Sequence, residues 1–349
     1  MKSSFRKEDV TILLKDITGM VEPMCAEERQ RRIEAGAHYC EMLPIEYEPS
    51  EKYLTAFFDA LERYAKITAR AVMSLSDKIF AQKGGKAALV SLARAGTPIG
   101  VLIKRYIKLK YGADAAHYTV SIIRGKGIDH NAMKYILDRH APQDICFVDG
   151  WTGKGAIQRT LDLAMEDYKG VDSALAVLSD PANIAGMCGT YEDFLIASSC
   201  LNSTVSGLMS RTFLRDDIIG AEDFHGAVYY GELADKDLTY RFIERVEQEF
   251  DLSAQLPEEP APDSVGMDEV HAIAEHFGIS DINLIKPSIG EATRVLLRRV
   301  PWKLLVHSLD DHEHLGHIYQ LAKEKGVDVE VYPLKNYKAC GIIRTFADN

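Results

Sequence analysis

One pattern recurs three times between Ala87 and Tyr168, and it limits what the chain can fold into. Each copy is an apolar run, a small or Gly-rich loop carrying charge, and then a helical periodicity. The sharpest copy opens at Asp144: Cys146 to Val148 read as a buried strand that ends on Asp149 and runs straight into Gly150-Trp151-Thr152-Gly153-Lys154-Gly155. From Ala156 to Tyr168, Ile157, Leu161 and Leu163 or Ala164 mark one face of a helix. Upstream, the apolar run Ala87–Ala93 ends at Arg94-Ala95-Gly96-Thr97, and a helical run follows from Ile99 to Tyr106. Between these two copies, the β-branched run His117–Ile123 ends in the basic loop Arg124–His130, and a helix is expected over Asn131–Arg139. Strand, loop and helix in series are the grammar of a parallel α/β sheet. Ligands of such sheets bind beyond the C-terminal strand ends, where all three loops would gather.

The loop after Asp149 predicts anion chemistry. Backbone N–H groups and a helix N-terminus surround negative charge favourably. Asp149 stands where it would orient a ribose hydroxyl or a metal ion. A nucleoside-triphosphatase loop needs two glycines four residues apart and then Lys with Ser or Thr; here the glycines are closer and Gly155 follows Lys154. An ordinary tight strand-to-helix turn would show the same glycines.

At 349 residues the chain is long enough for two domains, and 46% hydrophobic with 27% charged residues is the composition of a soluble globular protein. A net charge of −11 excludes a surface that coats nucleic acid generally, while leaving room for a local basic patch. No apolar run reaches membrane-spanning length, and Met1–Lys7 lacks the apolar core of a secretion signal, so no membrane partner is expected. The six cysteines form no CxxC pair or metal spacing, which predicts a reduced, cytoplasmic protein. Nothing here fixes the oligomeric state, and a homo-oligomer is compatible with it.

Four regions are expected: a mostly helical N-terminal segment over 1–77, a parallel-sheet domain over 78–250, a linker over 251–266 and a small domain over 267–349. The linker carries three prolines and three acids between Gln255 and Ser264, a stiff and solvated composition. The last unit predicts helices at Met267–Phe277, Gly290–Arg299 and Glu313–Lys325. Its strands are expected at Asn283–Ile285, Trp302–His307, Val327–Tyr332 and Gly341–Arg344, giving an α/β/α sandwich. His312, His314 and His317 read as surface residues.

With these residues in view, the strand ending at Asp149 and its Thr/Gly turn resemble the type I phosphoribosyltransferases, although Gly150 stands where a second acid is usual. The resemblance implies a phosphoribosyl diphosphate ligand and an unknown acceptor. Gly150, Thr152, Gly153, Lys154 and Gly155 would hold the 5-phosphate, and Arg94, Ala95, Gly96 and Thr97 the diphosphate. Arg124 and Lys126 would close over it, and Asp149 would hold the ribose hydroxyls directly or through Mg²⁺. The tail, through Ser288–Arg294, Trp302–His307 and Val327–Tyr332, resembles the Pelota-type RNA-binding domain. That resemblance implies RNA contacts from Lys286, Glu291, Arg294 and Arg298, although from Val265 onward ten Lys/Arg face twelve Asp/Glu.

The combination resembles a bacterial family associated with tellurite-resistance and stress gene clusters, for which a nucleoside-like metabolite is implied. The N-terminal family also carries the label cysteine protease StiP. That label calls for a thiolate beside a His in an accessible, electropositive place. The sequence offers Cys188 and Cys200 in Gly/Ser-rich turns, with His225 downstream. A third class, an RNA-binding ligand sensor without catalysis, is kept open by Gly150.

Overall fold

The computed structural model describes residues 1–343. Arg344, expected in the last strand, lies outside them. The core is a six-stranded sheet built from β1 (Thr11–Ile12), β2 (Ala88–Leu92), β3 (Ala116–Val120), β4 (Ile145–Trp151), β5 (Leu175–Ser179) and β6 (Met187–Thr190). The spatial order is β1-β3-β2-β4-β5-β6, and every pairing is parallel. Adjacent residues of the central strands serve opposite faces, as the pleat requires. Leu89, Cys146 and Val148 join one apolar cluster, while Val90, Leu92 and Phe147 join another.

Helices cover both faces. Besides the short α1 (Ala26–Glu34), the core carries α2 (Glu51–Lys83), α3 (Gly96–Tyr111), α4 (His130–Leu137), α5 (Ala156–Met165) and α6 (Thr239–Glu247). On one face lie α2, α3 and α6, through Phe57, Leu61, Val72, Ile99, Leu102 and Phe242; on the other lie α4 and α5, through Ala132, Met133, Ile136 and Leu161. Helix α2 is 33 residues long, or roughly 50 Å at the α-helical rise. It buries the stripe Leu61, Tyr64, Thr68, Val72, Leu75, Ile79, spaced three or four apart, and stops at Gly84 with φ of 61°. It runs past residue 77 without a break, and β1 from the N-terminal segment is an edge strand of the sheet. Asp9 ties that segment down: Arg105 of α3 donates to both its carboxylate oxygens at 2.9 and 2.8 Å.

The C-terminal unit contains α7 (Gly266–His276), β7 (Ile285–Pro287), α8 (Ile289–Arg298), β8 (Pro301–Val306), α9 (His312–Lys325), β9 (Val329–Val331) and β10 (Ala339–Ile343). The sheet order is β7-β10-β8-β9, with β8 and β9 parallel and the other pairs antiparallel. Leu304 and Val306 pack with Ile289, Leu296 and Ile318 of α8 and α9, whereas Leu305 packs with Val270 and Ile273 of α7. The expected α/β/α layering follows from that alternation. His317 departs from its expected surface position, turning inward to a 2.9 Å contact with the Thr293 hydroxyl.

The two units share a core, because the apolar residues of α8 and α9 continue into those of α2 and Phe194–Ala197. At that junction Asp193 is 4% exposed, and its carboxylate accepts from the backbone N–H of Ile289 (3.0 Å) and of Lys338 (2.9 Å). It therefore meets the first turn of α8, where N–H groups have no partner inside the helix. Asp193→Ala leaves both N–H groups buried and unbonded, each costing about 1–3 kcal/mol. The expected outcome is a lower urea midpoint and faster proteolytic cleavage in 251–263, measured by gel against the parent chain.

Candidate functional site

Two places carry chemistry: a cleft between the units, and a thiol–imidazole pair beside it. The cleft has a volume of about 290 Å³ and lies at the C-terminal ends of the core strands. From the core it takes Ala95, Arg124, Asp149 and the loop Trp151–Gly155; from the C-terminal unit it takes Lys286, Pro287, Glu291 and Arg294. Loop residue Gly155, with φ of 68°, turns the chain into α5. Lys154 donates to the carbonyls of Ile282 and Ile285, and Tyr337 donates to the Gly153 carbonyl at 2.6 Å, so the loop is anchored to the second unit.

Arg124, Asp149, Gly153, Lys154 and Gly155 thus meet Lys286, Glu291 and Arg294 in one concavity. Other expected members are turned away. Arg94 pairs with Glu46 at 2.9 Å and donates to the Met209 carbonyl at 2.8 Å. Gly96 lies under β4, where an added Cβ would stand 2.4 Å from the Val148 oxygen, and the buried Thr97 hydroxyl accepts from Thr119 at 3.0 Å. Thr152 lines the cleft but its hydroxyl donates to Asp180. Gly150 is buried, and its N–H donates to Asp149 at 2.8 Å. Lys126 is exposed on the loop beyond Arg124. Arg298 donates to the carbonyls of Cys200 and Leu201 at 3.1 and 3.0 Å, bridging the two units.

The electrostatics are lopsided. Asp149 keeps a little solvent contact but is crowded by protein, and burial pushes its carboxyl up to about 7 against the pull of the Gly150 N–H. Burial, helped by repulsion from Lys286, pulls Lys154 down to about 8. Glu291 is engaged by Arg294 at 2.7 Å. Among the described residues no group of three His, Cys, Asp or Glu is placed to hold a metal ion.

The cysteines divide sharply by environment. Cys200 is fully buried, its sulfur 3.9 Å from the Ala56 carbonyl, and burial pushes its thiol up to about 12. Cys188 is 3% exposed and pushed up to about 11. His225 is engaged elsewhere, with Nδ1 2.8 Å from the Ser121 hydroxyl and its backbone N–H on Asp129 at 2.6 Å. Neither thiol contacts it. The thiol–imidazole contact lies instead in His38-Tyr39-Cys40, where His38 Nδ1 is 3.0 Å from Cys40 Sγ. The Cys40 N–H points to the same Nδ1 at 3.4 Å, which makes that nitrogen the acceptor. The sequence signal was the His-x-Cys spacing at the start of a short 3₁₀ turn, with His38 as its N-cap.

Tyr39 links this pair to the cleft. Its hydroxyl accepts from the Arg124 N–H at 3.0 Å, and the Arg124 guanidinium lies 5.6 Å from its ring centroid. The loop's Gly125 backs onto His38, whose Nε2 would lie 3.6 Å from an added Cβ.

Fold and site together define a two-domain α/β protein with a cationic interdomain cleft and a buried thiol–imidazole pair at its edge. Residues 3–247 match the family model described as "Tellurite-like stress resistance cysteine protease StiP", and residues 264–345 match the "PELOTA RNA binding domain". A relative from Acinetobacter baylyi, "Cysteine protease StiP", is 35% identical over 362 residues, spanning 98% of this chain and 94% of its own length. The chain belongs to the StiP family and carries a C-terminal Pelota-type domain. No helix among the described residues is long and apolar enough to cross a membrane.

These matches overturn the transferase expectation. Family and relative are both described as cysteine proteases rather than as enzymes of phosphoribosyl diphosphate. The geometry supplies a reason. Arg94, Gly96 and Thr97 are withdrawn into the core, and the lone acid Asp149 is held toward its protonated form. The phosphoribosyl ligand, its acceptor and the Mg²⁺ expectation tied to them are not carried forward.

Asp149 generates a pH prediction. Its folded pKa is raised, so between about pH 4 and 7 the native state holds a proton that the unfolded chain releases, and stability falls as pH rises. Asp149→Asn removes that loss: its urea midpoint should exceed the parent's at pH 8 and differ little at pH 4. Equal midpoints at pH 8 would contradict the assignment.

Proposed function

We propose that the chain is a cysteine protease in which Cys40 is the nucleophile and His38 the base. The observation that carries this reading is the 3.0 Å contact between Cys40 Sγ and His38 Nδ1. Family membership supports the activity class. The chemistry follows from the pair. Nδ1 takes the thiol proton as sulfur attacks the scissile carbonyl carbon, giving a tetrahedral intermediate. Its collapse breaks the C–N bond; the imidazolium returns the proton to the leaving amine, and water then hydrolyses the thioester.

Cys40 is 1% exposed, and burial pushes its thiol up, with Glu41 adding to the rise and Lys126 opposing it. The resting sulfur is therefore a protonated thiol, with proton transfer to the imidazole coupled to attack. The loop carrying Arg124 and Gly125 covers His38, and Gly125 and Gly127 both hold positive φ, at 78° and 88°. Peptide reaches the sulfur when this glycine-flanked loop lifts.

For the C-terminal domain we infer RNA binding, supported by its match to the Pelota model and by the side chains of Lys286 and Arg294 on the cleft. The Cys200 or Cys188 pairing with His225 is not retained, because neither sulfur reaches that imidazole.

Cys40→Ser and His38→Ala should each cut peptidase turnover by about a thousandfold or more, with melting temperatures near the parent's. Cys200→Ser and Cys188→Ser should retain turnover in the same assay. Full activity in Cys40→Ser would overturn the assignment; if Cys25→Ser were the silent variant instead, the nucleophile would be that exposed thiol. Because burial raises the Cys40 thiol, its alkylation by iodoacetamide should accelerate from pH 7 to pH 9, read by peptide mass.

A further inference from the structure

We propose that the interdomain cleft is a binding track for single-stranded RNA, in which the core supplies a phosphate contact through Arg124 and a stacking surface through Trp151. This deepens the RNA reading of the C-terminal domain and rests on it. It extends the RNA surface onto the other domain, to residues outside the Pelota match.

Charge imbalance is the first observation. Four cations, Arg124, Lys154, Lys286 and Arg294, line the cleft against two acids, Asp149 and Glu291. These cations are neighbours that repel one another. Lys286 is pulled down by burial and by Arg124, Arg299 and Arg294, with Glu291 opposing. Cations gathered in a chain with a net charge of −11 are a local, costly feature. A single phosphate would neutralise one or two of them, whereas a backbone with a charge on every nucleotide would neutralise the series.

Shape and chemistry of the walls are the second observation. The cleft, about 290 Å³, has the half-buried Trp151 in its lining, between the cations of the core and those around α8. A cationic groove with an aromatic platform is how proteins hold single strands, the bases stacking and the backbone following the charge. The anions of the wall offer little opposition, since Glu291 is paired with Arg294 and Asp149 has no second acid beside it in the cleft lining.

The test uses full-length protein carrying Cys40→Ser, so that binding is measured apart from proteolysis, and a fluorescein-labelled 12-nucleotide oligouridylate read by anisotropy. Binding should weaken steeply with salt. Arg124→Gln should weaken it about five- to tenfold and lower the slope of log affinity against log salt by about 0.7. Arg139→Gln, a cation stacked on Tyr135 away from the cleft, should match the parent. In a Trp302→Phe background the remaining tryptophan fluorescence should be quenched by RNA, and Trp151→Phe should keep binding while losing that signal. Parent-like affinity and slope in Arg124→Gln would overturn the proposal and confine RNA to the C-terminal domain. Displacement of the oligomer by inorganic phosphate or adenosine monophosphate at equal affinity would overturn it in favour of a small-anion site. No binding by the parent would sink the RNA reading itself.

Discussion

A buried carboxylate holds this molecule in its working shape. Asp193 sits at the seam of two domains with almost no solvent contact, accepting backbone N–H groups from the start of α8 and from the segment before β10. Burial pushes its carboxyl up to about 7, opposed by those N–H groups and by Lys338. A lone buried acid is tolerable because its contacts satisfy backbone donors at the helix start and before β10 that would otherwise stay open. Around it, Tyr337 reaches Gly153, Asn336 reaches the Pro181 carbonyl at 3.0 Å, and Arg298 reaches Cys200 and Leu201. The cleft exists only while these bonds keep α8 against the strand ends.

Docking also decides what the loop after β4 is for. Taken alone, a strand, an acid and a Gly-rich turn before a helix form an anion cradle. Here the turn's lysine and one of its carbonyls are consumed by the second domain, and its threonine by Asp180. The loop is a structural junction as well as a cleft wall. Its neighbour, the Arg124–Ile128 loop, touches the cleft on one side and His38 on the other, so the cationic surface and the thiol pair share one loop.

Secondary structure was largely legible because the apolar spacing was strong and the boundaries were chemically marked. The strand around Phe147, the helix from Ala156 and all seven elements of the small domain lie within a few residues of where their patterns predict. Tyr53 to Leu75 read as helical, and the longer α2 ends where Gly84 stops it. The site was less legible. Arg94 and Arg124 look equivalent as basic residues ending strands, yet Glu46, distant in sequence, captures one and leaves the other free. The functional reading from that loop led to sugar-phosphate transfer, which the family membership overturned. Cys40 drew no notice because a His-x-Cys spacing is short and unspecific until the 3₁₀ turn brings the sulfur onto the imidazole.

What the sequence by itself determined was local: which runs become strands, which faces become apolar, and which loops follow strand ends. These follow from periodicity and from turn chemistry within a few residues. Only the tertiary structure decided which charges stay unpaired and which cysteines are buried away from His225. Those outcomes depend on ångström-scale distances between residues brought together by packing, such as Glu46 with Arg94 or Arg298 with the Cys200 carbonyl. A carboxylate or a carbonyl arriving from another element changes a side chain's role without changing anything in its own stretch of chain.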